Sequence, residues 1–233
     1  MSADTSASPL APWRPAERAA RLRCLSWAAV LTCGFLVLLG LLLVMPGRPS
    51  LLSLDRRTDT ALHAFALAHP AVTRLCLVLT DWVWGPTPMR LLTLAVAGLL
   101  LWRGHWRRAV WALFACAAGW ALETGVKAAV GRARPHWPHP VDTATAASFP
   151  SGHALAAATA CVTLLWLTRL YGVRRWWWTV LVAIGVLSIT GAGFTRLYLG
   201  VHWPSDVFAG WLLGGAVATA SAAVTVPWKP VER

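Results

Sequence analysis

The sequence predicts an all-α fold: a six-transmembrane-helix bundle with an interfacial or re-entrant helical segment between spans 1 and 2. Three observations carry this. The 233 residues are 57% hydrophobic and only 13% charged, with a mean hydropathy of +0.56, whereas a soluble domain averages about 25% charged. Several apolar runs approach the roughly 20 residues that a helix needs to cross a hydrocarbon layer about 30 Å thick. The Lys and Arg residues fall in short groups between those runs. There is too little polar surface to cover a soluble globule, and neither a disordered chain nor a disulfide-stapled miniature domain fits.

The net charge is +12, with 19 Arg and 2 Lys against 9 acidic residues. Nucleic-acid binding would need the cations clustered on one face; spread among connecting loops, they give no reason to expect a nucleic-acid partner. Cys24, Cys33, Cys76, Cys116 and Cys161 lie mostly in apolar stretches without zinc-site spacing and read as packing residues.

The first span is Cys24–Met45, uncharged, preceded by Arg14, Arg18, Arg21 and Arg23 and closed by Pro46-Gly47. Its apolar run is too long for a cleaved signal, and no small-residue cleavage site follows. Further spans are expected at Met89–Trp102, Ala109–Val126, His153–Leu170, Trp176–Phe194 and Ser205–Val226. Trp82, Trp84, Trp102, Trp106 and Trp176–Trp178 suit interfacial aromatic belts. Gly210 and Gly214 form a small-xxx-small pair suited to packing within the chain. Ala61–Leu79 is apolar but holds His63, His69, Pro70 and Arg74, costly at mid-bilayer, and reads as interfacial or re-entrant helix.

Lys and Arg collect on the cytoplasmic side of membrane proteins. With both termini inside, the cytoplasm receives Arg14, Arg18, Arg21, Arg23, Arg103, Arg107, Arg108, Arg169, Arg174, Arg175, Lys229 and Arg233. The outside receives Arg48, Arg56, Arg57, Arg74 and Arg90. The expected organisation is a cytoplasmic tail over 1–23, one membrane-embedded domain over 24–226 and a cytoplasmic tail over 227–233, in a cell-membrane, multi-pass protein.

Three polar clusters then emerge together on the extracytoplasmic side. One closes the third span with Lys127, Arg132, Arg134 and Pro135. Another opens the fourth with Ser148-Phe-Pro-Ser151-Gly152-His153. The last, between the fifth and sixth spans, carries Thr195, Arg196, Tyr198, His202, Pro204, Ser205 and Asp206. None of their cations enters the inside–outside balance just drawn.

Lys127, Arg134 and Arg196 are three cations suited to one multiply charged anion; Arg grips phosphate oxygens bidentately and Lys acts as a point charge. Pro150 to His153 reads as a helix start, where free N–H groups and the positive dipole end favour an anion. Gly152 permits close approach of a ligand to the backbone. His202 and Asp206, four apart, come within reach on one helical turn, and the carboxylate would fix the imidazole tautomer, leaving the other nitrogen free to attack. That is an inventory for phosphoryl transfer without a metal. His202 would be the nucleophile, Asp206 its orienter, His153 the general acid, and the cations the charge stabilisers. A phosphohistidine would form, then be hydrolysed by water that His153 activates. His202 neutral and His153 protonated would give a bell-shaped pH profile.

These motifs resemble the type 2 phosphatidic acid phosphatase (PAP2) superfamily, in particular its bacterial membrane-bound lipid phosphatases. The family pattern is Lys-x6-Arg-Pro, Pro-Ser-Gly-His, then Ser-Arg-x5-His-x3-Asp. Here it is met by Lys127 with Arg134-Pro135, by Pro150 to His153, and by Arg196 with His202 and Asp206. Thr195 stands where the family usually has Ser and keeps the hydroxyl. The resemblance covers about Ala109 to Val226. It implies the roles above, adds Ser151 as a phosphate ligand, and requires no metal or other cofactor. It also implies a lipid phosphate or diphosphate substrate of the undecaprenyl diphosphate, phosphatidylglycerophosphate or phosphatidic acid type, with the prenyl diphosphate first.

A lipid phosphotransferase would use the same residues with a hydroxyl acceptor. An anion transporter would share the cations but have little use for the His202/Asp206 pair. A two-His-one-carboxylate metal site from His153, His202 and Asp206 is opposed by the crowding cations. Related haloperoxidases are soluble, which six spans oppose. Arg132 lies outside the pattern, and both solvated charge and phosphate contact stay open for it. Lys127 could also pair with Glu123 one turn earlier. His136, His139 and Asp142 read as a solvated loop, Asp55, Asp59 and Asp81 as balancing neighbouring Arg residues, and Tyr198 as packing. Oligomeric state is not legible.

Overall fold

The computed structural model describes residues 15–44 and 49–226. The described residues form eight α-helices and one π-helical turn, with no strand: α1 (Pro15–Val44), α2 (Pro49–Ala68), α3 (Pro70–Val78), the π turn (Leu79–Val83), α4 (Pro86–Trp102), α5 (Trp106–Val130), α6 (Gly152–Leu170), α7 (Arg175–Tyr198) and α8 (Pro204–Thr225). Proline opens α3, α4 and α8, where its missing N–H costs nothing and its fixed φ already suits a helix.

Six helical stretches are long and apolar enough to cross a membrane: α1, the nearly continuous run Pro70–Trp102, and α5 to α8. Each satisfies its backbone internally, as a bilayer requires. The segment expected as interfacial or re-entrant helix over Ala61–Leu79 falls in two helices, broken at His69-Pro70 because proline supplies no N–H and restricts the residue before it. Its second half leads through the π turn into α4. The first helix starts at Pro15 rather than Cys24, since Pro15-Ala-Glu-Arg-Ala-Ala-Arg-Leu-Arg is built of strong helix formers. Met45, where the first span was expected to end, and the tail 227–233 lie outside the described residues.

Successive spans α5 to α8 alternate in direction, so the end of α5, the start of α6, the end of α7 and the start of α8 meet at one end of the bundle. The opposite end gathers Arg108 over the Tyr171 ring at 5.0 Å and Arg169 over Trp178 at 5.6 Å. Trp82, Trp102 and Trp106 are exposed near helix ends, as an aromatic belt requires. Trp84 is not in the belt: its ring packs on Gly191, where any side chain would overlap it.

The core is made where α8 packs on α1 and α6. A Cβ at Gly210 would lie 2.6 Å from the Ser151 carbonyl, and one at Gly214 would lie 2.5 Å from that of Leu155. Small residues thus bring the two backbones into direct contact, the usual source of van der Waals attraction between helices that hydrophobicity cannot drive together in lipid. The Ser151 N–H donates to the Asp206 carbonyl at 2.9 Å. This contact fixes the first turn of α6 against the first turn of α8.

Candidate active site

Lys127 sits in the last turn of α5, which stops at Gly131 in the left-handed conformation, φ +58. The loop after it returns Arg132 and Arg134 across the end of the bundle. Ser151 occupies the N-cap position of α6 without a side-chain capping bond, and Gly152 and His153 begin the helix. Arg196 is not in a loop, as the span limit Trp176–Phe194 had it, but in the last turn of α7. Nothing in Thr195-Arg196-Leu-Tyr198 breaks a helix, and the chain turns only at Gly200, φ +65. His202 follows that turn, and Asp206 lies in the first turn of α8.

The side chains converge. Arg134 Nη1 donates to His202 Nε2 at 3.0 Å and to the Val201 carbonyl at 2.7 Å. Asp206 Oδ2 faces His202 Nδ1 at 3.4 Å and accepts the Trp203 N–H at 3.0 Å. A donor at Nε2 and an acceptor at Nδ1 assign the imidazole proton to Nδ1 and leave the Nε2 lone pair toward the cations. His153 has Arg196, His202, Lys127 and Arg134 close enough for their charges to act on its ring. His202 is 2% exposed. Burial, then Arg134, Arg196 and Lys127, holds its imidazole well below the usual histidine range and therefore neutral.

Ser151 Oγ and Arg196 Nε are buried without a protein hydrogen bond in this cluster, while His202 Nδ1 has only the Asp206 carboxylate opposite it at 3.4 Å. The first-turn N–H groups of α6 add donors that the helix itself leaves unpaired. A tetrahedral anion is the ligand whose oxygens match this set of donors.

Each cation also has a protein acceptor. Lys127 Nζ donates to Glu123 at 2.7 Å, and Arg90 reaches the other oxygen of that carboxylate at 3.2 Å. A side chain at Gly152 would overlap Glu123, so the group closest to this glycine is a carboxylate of the protein. Arg196 Nη1 pairs with Asp142 at 3.1 Å and donates to Thr80 Oγ1 at 3.2 Å. Asp142 is therefore part of the site's surroundings rather than a solvated loop residue.

Sequence reasoning missed the layer beneath. Arg132 is neither solvated nor facing the cations: it pairs with Asp206 and, at 2.8 Å, with Asp55 of α2. Asp55 balances this distant arginine rather than a chain neighbour. Asp59, one turn further along α2, balances nothing. It is fully buried, and neither carboxyl oxygen has a hydrogen-bond partner. Burial, with Asp55 and Asp206 nearby, pushes its carboxyl up to about 8 in spite of Arg132. The folded protein then holds a proton that the unfolded chain releases above about pH 4. The stability this group supplies is complete below that pH and is lost as pH rises through about 8. Asp59→Asn is expected to flatten the fall of the thermal midpoint in detergent between pH 5 and 8 and to stabilise the protein at the upper end. Parallel wild-type and variant curves would contradict this.

The sequence matches the PAP2 superfamily over residues 108–229, slightly more than half of the chain and the whole of the cluster from Lys127 to Asp206. The chain belongs to the PAP2 superfamily. It is 42% identical over 88 residues to an undecaprenyl-diphosphatase of Sulfolobus acidocaldarius, a segment covering 37% of this chain and 38% of that protein. It is 35% identical over 88 residues to phosphatidylglycerophosphatase B of Escherichia coli, covering 38% and 31%. The aligned part thus spans well under half the length of these curated relatives. Among solved structures, a transmembrane PAP2-type phosphatidylglycerolphosphate phosphatase from Bacillus subtilis superposes with a TM-score of 0.77 at 22% identity, covering 88% of this chain and 98% of that one. That likeness establishes a shared helical fold. The PAP2 match begins after α2, so Asp55 and Asp59 lie outside it.

Proposed function

We propose that this protein is a metal-independent lipid phosphatase working through a phosphohistidine. The observation that carries the reading is the meeting of two imidazoles, His153 and His202, with Lys127, Arg134 and Arg196 at one end of an apolar bundle. Transport alone gives no reason for a neutral histidine backed by a buried carboxylate.

Lys127, Arg134, Arg196, Ser151 and the Gly152 end of α6 bind the phosphoryl oxygens. His202 Nε2 attacks the terminal phosphorus, the bond from that phosphorus to its leaving oxygen (the ester oxygen of a lipid phosphate, the bridging oxygen of a diphosphate) breaks, and His153 gives that oxygen its proton. Asp206 balances the positive charge that the attack creates on the imidazole. His153, now neutral, takes a proton from water, the hydroxide attacks phosphorus, and the P–N bond breaks to release inorganic phosphate. A site at the end of the spans suits an amphiphile whose tail stays in the bilayer. The names of the relatives favour a prenyl diphosphate or phosphatidylglycerophosphate, with the diphosphate first. The charge pattern favours an extracytoplasmic site, cytoplasmic termini and one catalytic domain over 24–226.

Purified protein assayed with EDTA on undecaprenyl diphosphate, phosphatidylglycerophosphate and phosphatidic acid is expected to release inorganic phosphate. No release from any of them would defeat the reading, and phosphate appearing on an added alcohol instead would make the protein a transferase. The acidic limb of kcat/KM is expected below the usual histidine range. Arg134→Gln removes the guanidinium beside Nε2, so the limb should move to higher pH; an unmoved limb would contradict the assignment of His202 as the titrating nucleophile.

A further inference from the structure

The chain from α2 to the reactive imidazole is continuous. Asp55 Oδ1 accepts the Ser205 N–H at 3.1 Å, and its Oδ2 accepts the Ser205 hydroxyl at 2.5 Å and Arg132 Nη2 at 2.8 Å. Arg132 Nη1 donates to Ser205 Oγ at 2.7 Å and to Asp206 Oδ1. The Trp203 ring lies 5.6 Å from the same guanidinium. Asp206 Oδ2 accepts the Trp203 N–H and faces His202 Nδ1.

From this geometry we infer that Arg132 and Asp55 are positioning residues for the phosphoryl-transfer step, acting on His202 through Asp206. The inference rests on the phosphatase reading above. Both terminal nitrogens of Arg132 are engaged by protein oxygens, so this arginine, next but one to Arg134, has no free fork for phosphate. Asp206 is 0% exposed, and an unpaired carboxylate there would be strongly disfavoured. Arg132 pairs with one of its oxygens and leaves the other facing the imidazole. Asp55 does for Arg132 what Arg132 does for Asp206, and it also holds the first turn of α8 through Ser205. Two carboxylates and one guanidinium leave a net charge of −1 behind His202, on the face away from Lys127 and Arg196. That charge is the complement of the positive charge the imidazole acquires when Nε2 bonds to phosphorus. Negative charge on this face also keeps the phosphate on the cationic one.

The test is steady-state kinetics of purified full-length protein on the lipid phosphate that wild type cleaves fastest, with folding checked by near-ultraviolet circular dichroism. Arg132→Gln should lower kcat by roughly 10–100-fold, the usual cost of losing the group that orients a reacting residue, with KM within about twofold. Arg132→Lys, which keeps the charge but not the fork, should recover part of that loss. Asp55→Asn should cost less alone and add little in the Arg132→Gln background, because it acts through the same guanidinium. An unchanged kcat in folded Arg132→Gln overturns the proposal. A raised KM at unchanged kcat overturns it as well, by making Arg132 a phosphate ligand. If Arg132→Gln does not fold, wild-type kcat in both Arg132→Lys and Asp55→Asn is the overturning result. A wild type that cleaves no lipid phosphate defeats the phosphatase reading and this proposal together; an active wild type with indifferent variants defeats only the proposal.

Discussion

His202→Ala is expected to lower phosphate release by roughly 10⁴-fold or more, the scale of losing the nucleophile from a covalent mechanism. Nε2 is the atom that would bond to phosphorus, and it is held ready in three ways. Burial and three cations keep it unprotonated, the Asp206 carboxylate fixes the tautomer from behind, and Arg134 holds the ring 3.0 Å from its own guanidinium. Alanine removes the reacting atom but leaves Lys127, Arg134, Arg196 and Ser151. The variant should therefore still bind a non-hydrolysable lipid phosphonate, and at least as well as wild type, since Arg134 no longer shares its Nη1 with an imidazole. Brief acid-quenched incubation with a ³²P-labelled lipid phosphate should label wild type and not the variant. Activity within tenfold of wild type in a folded variant would remove His202 from the nucleophile role and the phosphohistidine with it.

The fold was legible because membrane spans are declared by length and apolarity, which a single sequence displays directly. The motif residues were legible because their chemistry is unusual in so apolar a chain. Lys127, Arg134, His153, Arg196, His202 and Asp206 stand out against their neighbours and do meet in the folded protein. The limits of spans were less legible: apolarity ends at Phe194, but the helix does not, because Thr195 to Tyr198 are compatible with helix and polar at once. The supporting layer was invisible for a different reason. Asp55 pairs with an arginine 77 positions away, and in sequence it has Arg56 and Arg57 beside it as equally good partners. For Arg132, solvated charge and phosphate contact both stayed open, because spacing in a loop says nothing about which way a side chain turns. Glu123 was visible as a partner for Lys127, but its second partner, Arg90 of α4, required knowing that α4 and α5 pack together. Long-range ion pairs are set by tertiary packing, and neither periodicity nor local motif encodes them.

His153→Ala is expected to give the second-largest loss, about 10²–10⁴-fold on a lipid phosphate, the range of general acid–base catalysis. Its particular signature is that both chemical steps slow. A lipid alkoxide is a poor leaving group and would need the proton from His153; water is a poor nucleophile and would need its proton removed. The two demands separate with the leaving group. With p-nitrophenyl phosphate, whose phenolate departs without protonation, formation of the phosphoenzyme should recover in the variant while its hydrolysis stays slow. The ³²P-labelled protein would then accumulate rather than vanish, and release would show a burst followed by a slow phase. A merely structural role for His153 at the start of α6 would depress both substrates equally and trap nothing. His153 is also surrounded by Arg196, Lys127 and Arg134. With no imidazole at this position, no change of pH should restore the rate lost in the variant.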